Sequence, residues 1–369
     1  MTTTKTPVMV NGLPGKMATL VANKIRQSDE FELYPYALKG SSEKRDYLNV
    51  GGTEVQLFGP DQREAYSLVV RSGRAPPFHK LDGIVVDFTT PKSALENARY
   101  YCNNGWNFAM GTTGINPEDA RQSVKISGVT ALIAPNMARP VVGFMKLNAD
   151  FANAYPSSLS GCTIKIEESH QAPDPKRPEF KGKRDPSGTA IKLSEAFGKM
   201  GIEGCPFDPT DIMAHPEKYR EQFVMIRERS YQEKVLGVPP EYLDGHGWHT
   251  YLITDNSISK GHNELYKATR DFMERSVAFE GYSKVSNDTA KDGCNVTRVS
   301  ADGNVILKVE LLLVLEEKTK RTVPQLKTVH NVNGRNIYAD GTIECIKLIR
   351  RQGRSEAGSG KLLSMTDTL

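Results

Sequence analysis

The length, composition and charge of this chain exclude several classes of protein. Its 369 residues are too many for one small core and suit two domains, and 38% hydrophobic with 25% charged residues is the composition of an ordinary globular protein. The net charge of +4 gives little support for a nucleic-acid partner, and the lack of an apolar run of about 18 residues argues against a membrane partner.

The cysteines and the N-terminus bear on where such a chain works. Five dispersed cysteines with no CxxC pair are typical of reduced thiols, so we expect neither a disulfide framework nor a metal site. The first strand begins almost at once, which leaves no room for a signal or transit peptide. We therefore expect a cytoplasmic protein, or a mature form that works in the stroma of an organelle.

Strands and helices alternate through the first 137 residues. A short apolar strand, a glycine turn and a helix ending near Arg26 are predicted first, and Phe31–Leu38 is predicted as a second strand. Later strands are predicted at Val55–Phe58, Gly83–Phe88, Phe108–Thr112 and Thr130–Ala134, and helices near Gln62–Val70, from Pro91 and from Pro117. This alternation predicts an α/β fold with a doubly wound parallel sheet.

The pattern changes after about residue 137. Residues 255–300 are polar, with a helical piece near Leu265–Val277, which indicates an insertion over an edge of the second domain. Residues 352–369 are rich in glycine and serine, so we expect a flexible tail. The other predicted elements are a helix over 138–154, a strand Thr163–Glu168, a helix from Gly188 to about Met200, a strand-like run Phe223–Arg229 and a strand Val305–Glu316.

A glycine-rich turn follows the first strand and opens the first helix. Gly12 and Gly15 permit a tight turn and a close approach of the backbone to a pyrophosphate, whose charge is favoured at a helix start, here Lys16-Met17. Pro14 stands where the full GxGxxG motif has a glycine. We predict dinucleotide binding at this turn, with a purely structural strand–helix turn as the alternative.

The turn after the second strand bears on the choice of nicotinamide cofactor. An acidic residue there would bind a ribose 2′-hydroxyl, whereas a basic or hydroxyl-rich turn favours a 2′-phosphate. After Leu38 the sequence runs Lys-Gly-Ser-Ser, with no carboxylate before Glu43. We therefore predict a preference for NADPH over NADH, and leave open that Lys39 is a solvated surface residue.

Small and polar residues follow three of the predicted strands. Because the carboxyl ends of parallel strands lie at one edge of the sheet, where ligands bind, small residues there let a nicotinamide ring approach the backbone. The residues that we expect to contact the cofactor at this edge are Phe88, Gly111, Thr112, Thr113 and Asn136.

Residues 168–190 concentrate chemistry that suits an anionic substrate. His170 is a candidate proton donor, and Lys183 is a fixed cation. The hydroxyl and amide donors of Ser187, Gly188 and Thr189 open a predicted helix, where carboxylates and phosphates bind. This combination predicts the protonation of a small anionic substrate.

Candidates outside that segment are an arginine and two histidines. Arg335 is suited to bidentate binding of a carboxylate, with a surface ion pair as the alternative. His246 and His249 are interpreted as strand-edge residues or as residues that contact the site.

Taken together, the motifs resemble those of the 4-hydroxy-tetrahydrodipicolinate reductase (dihydrodipicolinate reductase) family, and most of all its plant-type branch. They run in family order over most of the chain, and the split motif His-Gln…Lys-x-Asp-x-Ser-Gly-Thr is the most specific. The matching segments are Val-Asn-Gly-Leu-Pro-Gly-Lys-Met (10–17), Val-Val-Asp-Phe-Thr (85–89), Met-Gly-Thr-Thr-Gly (110–114), Ala-Pro-Asn-Met (134–137), Glu-Ser-His-Gln (168–171), Lys-Arg-Asp-Pro-Ser-Gly-Thr-Ala (183–190), Gly-His-Gly-Trp-His (245–249) and His-Asn-Val-Asn-Gly-Arg-Asn-Ile-Tyr-Ala-Asp-Gly-Thr (330–342).

This resemblance implies a two-domain reductase of lysine and diaminopimelate biosynthesis. A Rossmann domain would cover 1–137 and be rejoined by a helix at 339–351. An α+β domain with a mixed sheet, 138–338, would bind the substrate and build a homo-oligomer, either a dimer or a tetramer. NADPH or NADH would deliver a hydride to a cyclic imine or enamine that carries two carboxylates.

Residue roles also follow from the resemblance. His170 and Lys183 form the catalytic pair, which acts in protonation and in polarising the substrate. The residues assigned to the two carboxylates of the substrate are Gln171, Ser187, Gly188, Thr189 and Arg335.

Two departures from the family pattern keep rival functions open. Residues 172–182 separate a His and a Lys that the family keeps close; we assign Lys183 because it stands two residues before an aspartate, with Lys181 and Lys176 as alternatives. A polar insertion follows Tyr251 in the domain expected to oligomerise. One rival is a reductase of the same fold that acts on another cyclic imine in specialised metabolism. Another is a catalytically silent homologue that binds a nucleotide.

Overall fold

The computed structural model divides the chain into two compact units. Unit 1 comprises Met1–Val142 and Arg335–Leu369, and unit 2 comprises Gly143–Gly334. Among the helices of the described residues, none is long and apolar enough to cross a membrane. The residues that the structure describes are 5–72, 78, 82–112, 115–176, 181–255, 282–290, 293–300, 305–316, 321–353 and 355–369.

Unit 1 is built on a six-stranded parallel sheet. In chain order its elements are β1 (Thr6–Asn11), α1 (Lys16–Arg26), β2 (Phe31–Leu33), β3 (Tyr36–Leu38), β4 (Tyr47–Val50), β5 (Thr53–Phe58), α2 (Arg63–Ser72), β6 (Ile84–Asp87), α3 (Pro91–Asn104), β7 (Asn107–Met110), α4 (Pro117–Ser127), β8 (Thr130–Ile133), α9 (Asn336–Gln352) and β16 (Lys361–Leu363). The order in the sheet is β16-β8-β7-β6-β1-β2, with every neighbouring pair parallel.

Helices cover both faces of this sheet, because successive residues of a strand point to opposite sides. Val8 and Val10 of β1 are buried in a core that also contains Ala22 of α1 and Ile346 of α9. Met9, between the two valines, belongs to a separate core with residues of α2, α3 and α4. The predicted α/β fold with a doubly wound parallel sheet is confirmed.

The second predicted strand, Phe31–Leu38, is wrong as one strand. It forms β2 and β3, separated by Tyr34 and Pro35, because proline has no amide hydrogen for a sheet ladder. β2 pairs with β1, whereas β3 pairs with β5 in a three-stranded sheet of order β3-β5-β4. Leu38 still reaches the first strand, since its amide donates to Asn11 Oδ1 at 2.8 Å.

The prediction of a flexible tail at 352–369 is also wrong. Lys361–Leu363 forms β16, which pairs in parallel with β8 at the edge of the sheet. Just before it, the Gly360 amide donates to the Lys125 carbonyl at 3.2 Å, and Met365 is buried in the core beside α9. A pairing of three residues with a strand far away in the chain leaves no local sequence signal.

Unit 2 is built on a seven-stranded mixed sheet, as the resemblance implied. Its elements are α5 (Arg139–Ala154, which begins in unit 1), β9 (Cys162–His170), α6 (Gly188–Lys199), α7 (Pro209–Ala214), β10 (Phe223–Ile226), α8 (Arg229–Lys234), β11 (Gly247–Asp255), β12 (Tyr282–Ala290), β13 (Gly293–Ser300), β14 (Val305–Glu316) and β15 (Arg321–Val332). The order in the sheet is β10-β9-β11-β15-β14-β13-β12. Only β9 and β10 are parallel among its described pairs, and one apolar core packs α5 and α6 against β9 and β11.

The predicted insertion at 255–300 continues this sheet in its second half. β12 and β13 form an antiparallel pair, and β13 pairs with β14. This part therefore extends the sheet, whereas we expected a cover over its edge. The predicted helical piece at Leu265–Val277 lies outside the described residues.

Candidate active site

The glycine turn after β1 is a close meeting of three backbone segments. The Gly12 amide donates to the Leu38 carbonyl at 2.8 Å, and the Gly15 amide donates to the Gly12 carbonyl at 2.8 Å. Gly12 has a φ of +98°, and a Cβ placed on it would stand 2.3 Å from the Phe88 carbonyl oxygen. The turns after β1, β3 and β6 therefore meet. In the sheet β1 lies between β2 and β6, so the strand order reverses there, and open α/β sheets bind ligands at such a reversal.

We expect Gly12→Ala to lower the free energy of unfolding by roughly 1–3 kcal/mol, because alanine strains this φ and its Cβ meets backbone that has no room to move. Affinity for NADPH is expected to fall by about tenfold or more, equivalent to ~1.4 kcal/mol. Urea unfolding and fluorescence titration with NADPH measure the two effects. Gly237→Ala is the matched control, since Gly237 has a φ of +76° with no atom of the described residues within 4 Å of its Cβ position. It should strain the fold but leave NADPH affinity unchanged; equal NADPH affinity of both variants contradicts the assignment.

The first turn of α1 suits a phosphate group. Gly15 precedes the helix and has no side chain to cap its first amides, which have no partner within the helix. Lys16 is exposed at this end, whereas Met17 packs partly against the core of unit 1. The residues present therefore fit the pyrophosphate of a dinucleotide.

Lys39 is buried, so the alternative that it is a solvated surface residue is wrong. Its Nζ donates to the Arg45 carbonyl at 2.6 Å and to Asp46 Oδ1 at 2.9 Å. Arg45 in turn binds Glu43 with two hydrogen bonds, of 2.8 and 2.9 Å. The turn after β3 thus carries several charged groups tied to one another.

Phe88, Gly111, Thr112 and Asn136 follow strands at the carboxyl edge of the sheet. The Phe88 amide donates to the Asn11 carbonyl at 3.1 Å, and the ring of Phe88 lies where a Cβ of Gly111 would stand, 2.2 Å from Phe88 Cε1. Thr112 donates its hydroxyl to Asp87 Oδ1 at 2.8 Å. Asn136 accepts from the Ala138 amide at 3.0 Å, at the start of α5. Thr113 lies outside the described residues.

Asp87 is the centre of a buried polar network that sequence reasoning did not single out. Its carboxylate accepts from the amide and hydroxyl of Thr89, from Asn97 and, at 2.5 Å, from Tyr101. Burial, and then the neighbouring Asp87, raise the pKa of Tyr101 well above its usual value, so Tyr101 remains a proton donor. The network fixes the ends of β6 and β7, which precede Phe88 and Gly111. A polar residue ending an otherwise apolar strand was the available signal.

His170 is the last residue of β9 and lies half-buried opposite Gly247 of β11. Its Nε2 is 3.3 Å from Nε2 of His249, and at that distance only one of the two nitrogens carries a hydrogen. Burial lowers the pKa of His170 well below its usual value, and the charges of Arg227 and Lys183 lower it further. His170 is therefore neutral at pH 7 in the free protein.

The two ends of the inserted segment 172–182 lie close together. The Lys183 amide donates to the Gln171 carbonyl at 2.8 Å. Gly182, with a φ of +66°, makes the return possible, since a Cβ there would stand 2.6 Å from the Ala172 backbone. Lys183 consequently lies beside Gln171, just after the end of β9, although eleven residues separate the two, while the alternatives Lys181 and Lys176 are exposed.

The Ser187-Gly188-Thr189 segment begins α6 as predicted and lies beside His249. Ser187 is buried; its amide donates to Glu168 Oε2 at 2.7 Å, and its Oγ lies 2.8 Å from His249 Nε2. Gly188 is exposed, with no atom of the described residues within 4 Å of its Cβ position, and Thr189 is half-buried. The structure thus brings Ser187 to His249, the neighbour of His170.

Arg227 and Glu168 were not predicted, although both contact this segment. The Glu168 side chain is fully buried and forms a short ion pair with the Arg227 guanidinium. Burial raises the pKa of Glu168, and Arg227 opposes that rise. Glu168 had been quoted within the motif Glu-Ser-His-Gln without a role, whereas nothing near Arg227 in the sequence marks it.

Three other histidines lie near His170: His246 just before β11, His249 on β11 and His330 on β15. His246 Nε2 is 2.8 Å from Ser169 Oγ, and the rings of His249 and His330 stack at 5.6 Å. Burial lowers the pKa of all three, that of His330 to about 4. His249 therefore contacts two predicted site residues, which is one of the two interpretations that we had left open for it.

One group of described residues has the geometry of a metal site. Ligand atoms of Glu168, His170 and His249 lie within 4.8 Å of one another. However, Glu168 is already paired with Arg227, whose charge, like that of Lys183, would repel a metal ion. We therefore assign no metal to this group.

Arg335 is not brought together with the other predicted substrate residues in one unit. It belongs to unit 1, where it precedes α9 as the N-cap residue. Its assignment to a substrate carboxylate stays a prediction.

A family model and the sequence relatives indicate one family. The family model described as "Dihydrodipicolinate reductase, N-terminus" matches residues 6–137. A protein of Oryza sativa subsp. japonica named "Probable 4-hydroxy-tetrahydrodipicolinate reductase 2, chloroplastic" is 34% identical over 277 residues, which cover 74% of each chain. The "4-hydroxy-tetrahydrodipicolinate reductase 2, chloroplastic" of Arabidopsis thaliana is 27% identical over 362 residues, which cover 98% of this chain and 76% of that protein.

A solved structure matches over nearly the whole chain. It is the dipicolinate-bound dihydrodipicolinate reductase from Paenisporosarcina sp. TG-14, with a TM-score of 0.50, 15% identity and 98% of both chains covered. At that identity the match shows a shared fold.

Proposed function

Because the chain belongs to the dihydrodipicolinate reductase family, and within it to the plant-type branch, we propose that it reduces 4-hydroxy-tetrahydrodipicolinate to tetrahydrodipicolinate with NADPH and loss of the hydroxyl group as water, in the diaminopimelate route to lysine. As a member of this family it is an oxidoreductase that uses a nicotinamide cofactor. The preference for NADPH, the individual site residues and the assembly state are proposals.

The return of Lys183 to the end of β9 is the observation that carries the proposed chemistry. The Lys183–Gln171 backbone hydrogen bond of 2.8 Å restores the closeness of His and Lys that the family pattern requires. Without it, the inserted residues would separate the proton donor from the cation. Within the described part of the chain, neither Lys176 nor Lys181 has a backbone hydrogen bond to Gln171 or His170.

The hydrogen-bond donors near Lys183 suit a substrate that carries two carboxylates. The first amides of a helix have no partner within it, and since Glu168 takes the Ser187 amide, those of Gly188 and Thr189 are offered to a carboxylate. Lys183 adds a positive charge, and the Gln171 and Thr189 side chains add neutral donors. These groups bind and orient the substrate, while Lys183 polarises it.

His170 is the group that we propose to transfer a proton. Its imidazole is neutral in the free protein because Arg227 and Lys183 lie near it in a buried setting. Two carboxylates offset those charges and favour the protonated ring. Substrate binding therefore charges the proton donor.

The bound cofactor supplies the hydride. We propose that Gly12, Gly15 and Lys16 hold its pyrophosphate, with Met17 packed behind them, and that Lys39 binds the 2′-phosphate. The edge residues Phe88, Gly111, Thr112, Thr113 and Asn136 complete the site.

We expect Lys39→Met to reduce kcat/KM for NADPH by about tenfold or more while leaving that for NADH unchanged, because a charge-assisted hydrogen bond contributes roughly 1.5–3 kcal/mol. Initial rates with both cofactors test this. The control Lys24→Met removes another ion-paired lysine, bonded to Asp340, and should change neither value. Equal wild-type efficiency with NADH and NADPH would refute the preference.

A substrate panel separates the proposed function from its rivals. The panel pairs the dicarboxylate with a cyclic imine of the same ring that carries one carboxylate. We expect the dicarboxylate to be preferred by roughly tenfold to a hundredfold, since losing a charged hydrogen-bond partner costs about 1.5–3 kcal/mol. Preference for the monocarboxylate would favour the rival reductase, and no turnover with NADPH bound would favour the silent homologue.

Assembly and location complete the proposal. We propose a homo-oligomer, a dimer or a tetramer built by unit 2, which light scattering of the purified protein measures. The site of action is the cytoplasm, or an organelle stroma as in the relatives whose names include "chloroplastic".

A further inference from the structure

The guanidinium of Arg227 connects the end of β9 to the segment that returns from the inserted loop. Its Nε donates to the Lys183 carbonyl at 2.8 Å, and its terminal nitrogens donate to the carbonyls of Glu168 at 3.2 Å and Asp185 at 3.4 Å. All three guanidinium nitrogens are therefore used on the backbone around Lys183 and His170.

Glu168 carries the connection on to α6. One carboxylate oxygen pairs with the Arg227 guanidinium, and the other accepts from the Ser187 amide at 2.7 Å. The Glu168 side chain is fully buried and that of Arg227 is 16% exposed, so the pair is screened little by solvent. Arg227 thus binds the backbone of Lys183, Glu168 binds that of Ser187, and the buried ion pair connects the two.

We infer that Arg227 is a positioning residue, which through its ion pair with Glu168 holds Lys183 and the start of α6 in the arrangement that binds the dicarboxylate. The inference rests on the proposed function. The excursion at 172–182 makes such a connection necessary, because a long loop leaves the returning segment less constrained than a direct link would.

A lysine at position 227 would keep the positive charge but not the set of hydrogen bonds that the guanidinium makes. The guanidinium is planar and offers five hydrogens in a fixed fork, whereas an ammonium is a single point with three. Arg227→Lys therefore separates positioning from electrostatics. Arg227→Gln removes both.

The effect of the Arg227 charge on the pKa of His170 can be measured separately, from the pH profile of kcat/KM. The charged and titratable groups near His170 are Lys183, Arg227, the Glu168 carboxylate within 4.8 Å, His246 before β11 and His249 on β11. Arg227 and Lys183 lower the pKa of His170, after burial itself. Removing the charge of Arg227 raises that pKa, so the limb of the pH profile that belongs to His170 moves to higher pH.

The test measures kcat/KM, its pH profile, KM for NADPH and affinity for pyridine-2,6-dicarboxylate by calorimetry. For Arg227→Lys we expect kcat/KM and the affinity to fall by about tenfold to a hundredfold, the scale of a misplaced catalytic group, with the limb unmoved. Arg227→Gln should lose at least as much and shift the limb upward. Both should keep KM for NADPH, which reports that unit 1 is intact.

Arg229→Lys is the matched control, because Arg229 pairs with Asp244 at 2.8 Å nearby and should lose less than twofold. If Arg227→Gln does not fold, as urea unfolding would show, Arg227→Lys decides alone. Arg227→Lys with wild-type kcat/KM and affinity overturns the positioning role. A wild type that neither binds the dicarboxylate nor turns over overturns the proposed function, and this role with it.

Discussion

Replacing Lys183 with methionine is expected to lower kcat/KM for the dicarboxylate by about 10²- to 10³-fold, the cost of removing one preorganised electrostatic donor from an active site. The 2.8 Å hydrogen bond from the Lys183 amide to the Gln171 carbonyl brings Lys183 back to the end of β9, where we propose that its charge polarises the substrate. Methionine keeps an unbranched side chain, one atom shorter than lysine, and removes the charge together with its hydrogen-bond donors. Initial rates at saturating NADPH measure the effect.

The inserted loop provides its own controls for this prediction. Lys181 and Lys176 are exposed, and Lys181→Met and Lys176→Met should each stay within about twofold of the wild type, as surface substitutions do. KM for NADPH should not change in any of the three variants. A loss of activity in Lys181→Met with full activity in Lys183→Met would move the assignment to Lys181.

Replacing His170 with asparagine is expected to reduce kcat by about 10²- to 10⁴-fold, the usual contribution of a positioned acid or base. Asparagine is polar and close in size to the imidazole but transfers no proton. His215→Asn is the control, since His215 lies on the surface, 3.7 Å from Glu217. Pre-steady-state measurement of NADPH oxidation separates the chemical step from product release.

The pH dependence of the rate tests whether His170 donates the proton. A proton donor is active only when it is protonated, so the rate falls as the pH rises through its pKa. Burial, Arg227 and Lys183 lower the pKa of His170 well below 6.5 in the free protein, which places that limb of log kcat/KM at low pH. Bound carboxylates raise the pKa, so the limb of log kcat lies at higher pH. His170→Asn should lose this limb, and its persistence there would exclude His170 as the donor.

The parts of the fold that were predictable are those with a local repeating signal. Alternating apolar strands and amphipathic helices predicted the parallel sheet, and Val305–Glu316 is a strand with the predicted bounds. The break at Pro35 and the pairing of Lys361–Leu363 with β8 were missed. Proline acts at a single residue within a favourable run, and the edge strand depends on a partner some 230 residues away, so neither leaves a periodic pattern.

The residues of the candidate site also fall into a predictable group and an unpredictable one. His170, Lys183 and Ser187 lie in one segment with a recognisable motif, and the structure gathers them. Glu168 and Arg227 matter because they meet, and their meeting depends on β9 and β10 pairing in register. A lone arginine in the sequence carries no information about that contact.

The contacts of His249 follow from the register of strand pairing. It lies directly opposite Glu168 in the antiparallel pair β9–β11, two residues from the Gly247–His170 pair. On that face of the sheet its ring reaches both His170 and Ser187. The motif Gly-His-Gly-Trp-His placed the residue on a strand, but only the pairing shows which neighbours it contacts.

The most direct measurement couples this protein to dihydrodipicolinate synthase, whose product is the proposed substrate, and follows NADPH by absorbance together with the product by mass spectrometry. We predict oxidation of one NADPH per tetrahydrodipicolinate formed, dependent on the synthase and on its substrates. NADPH consumption no faster than in the absence of the protein would contradict the proposed function.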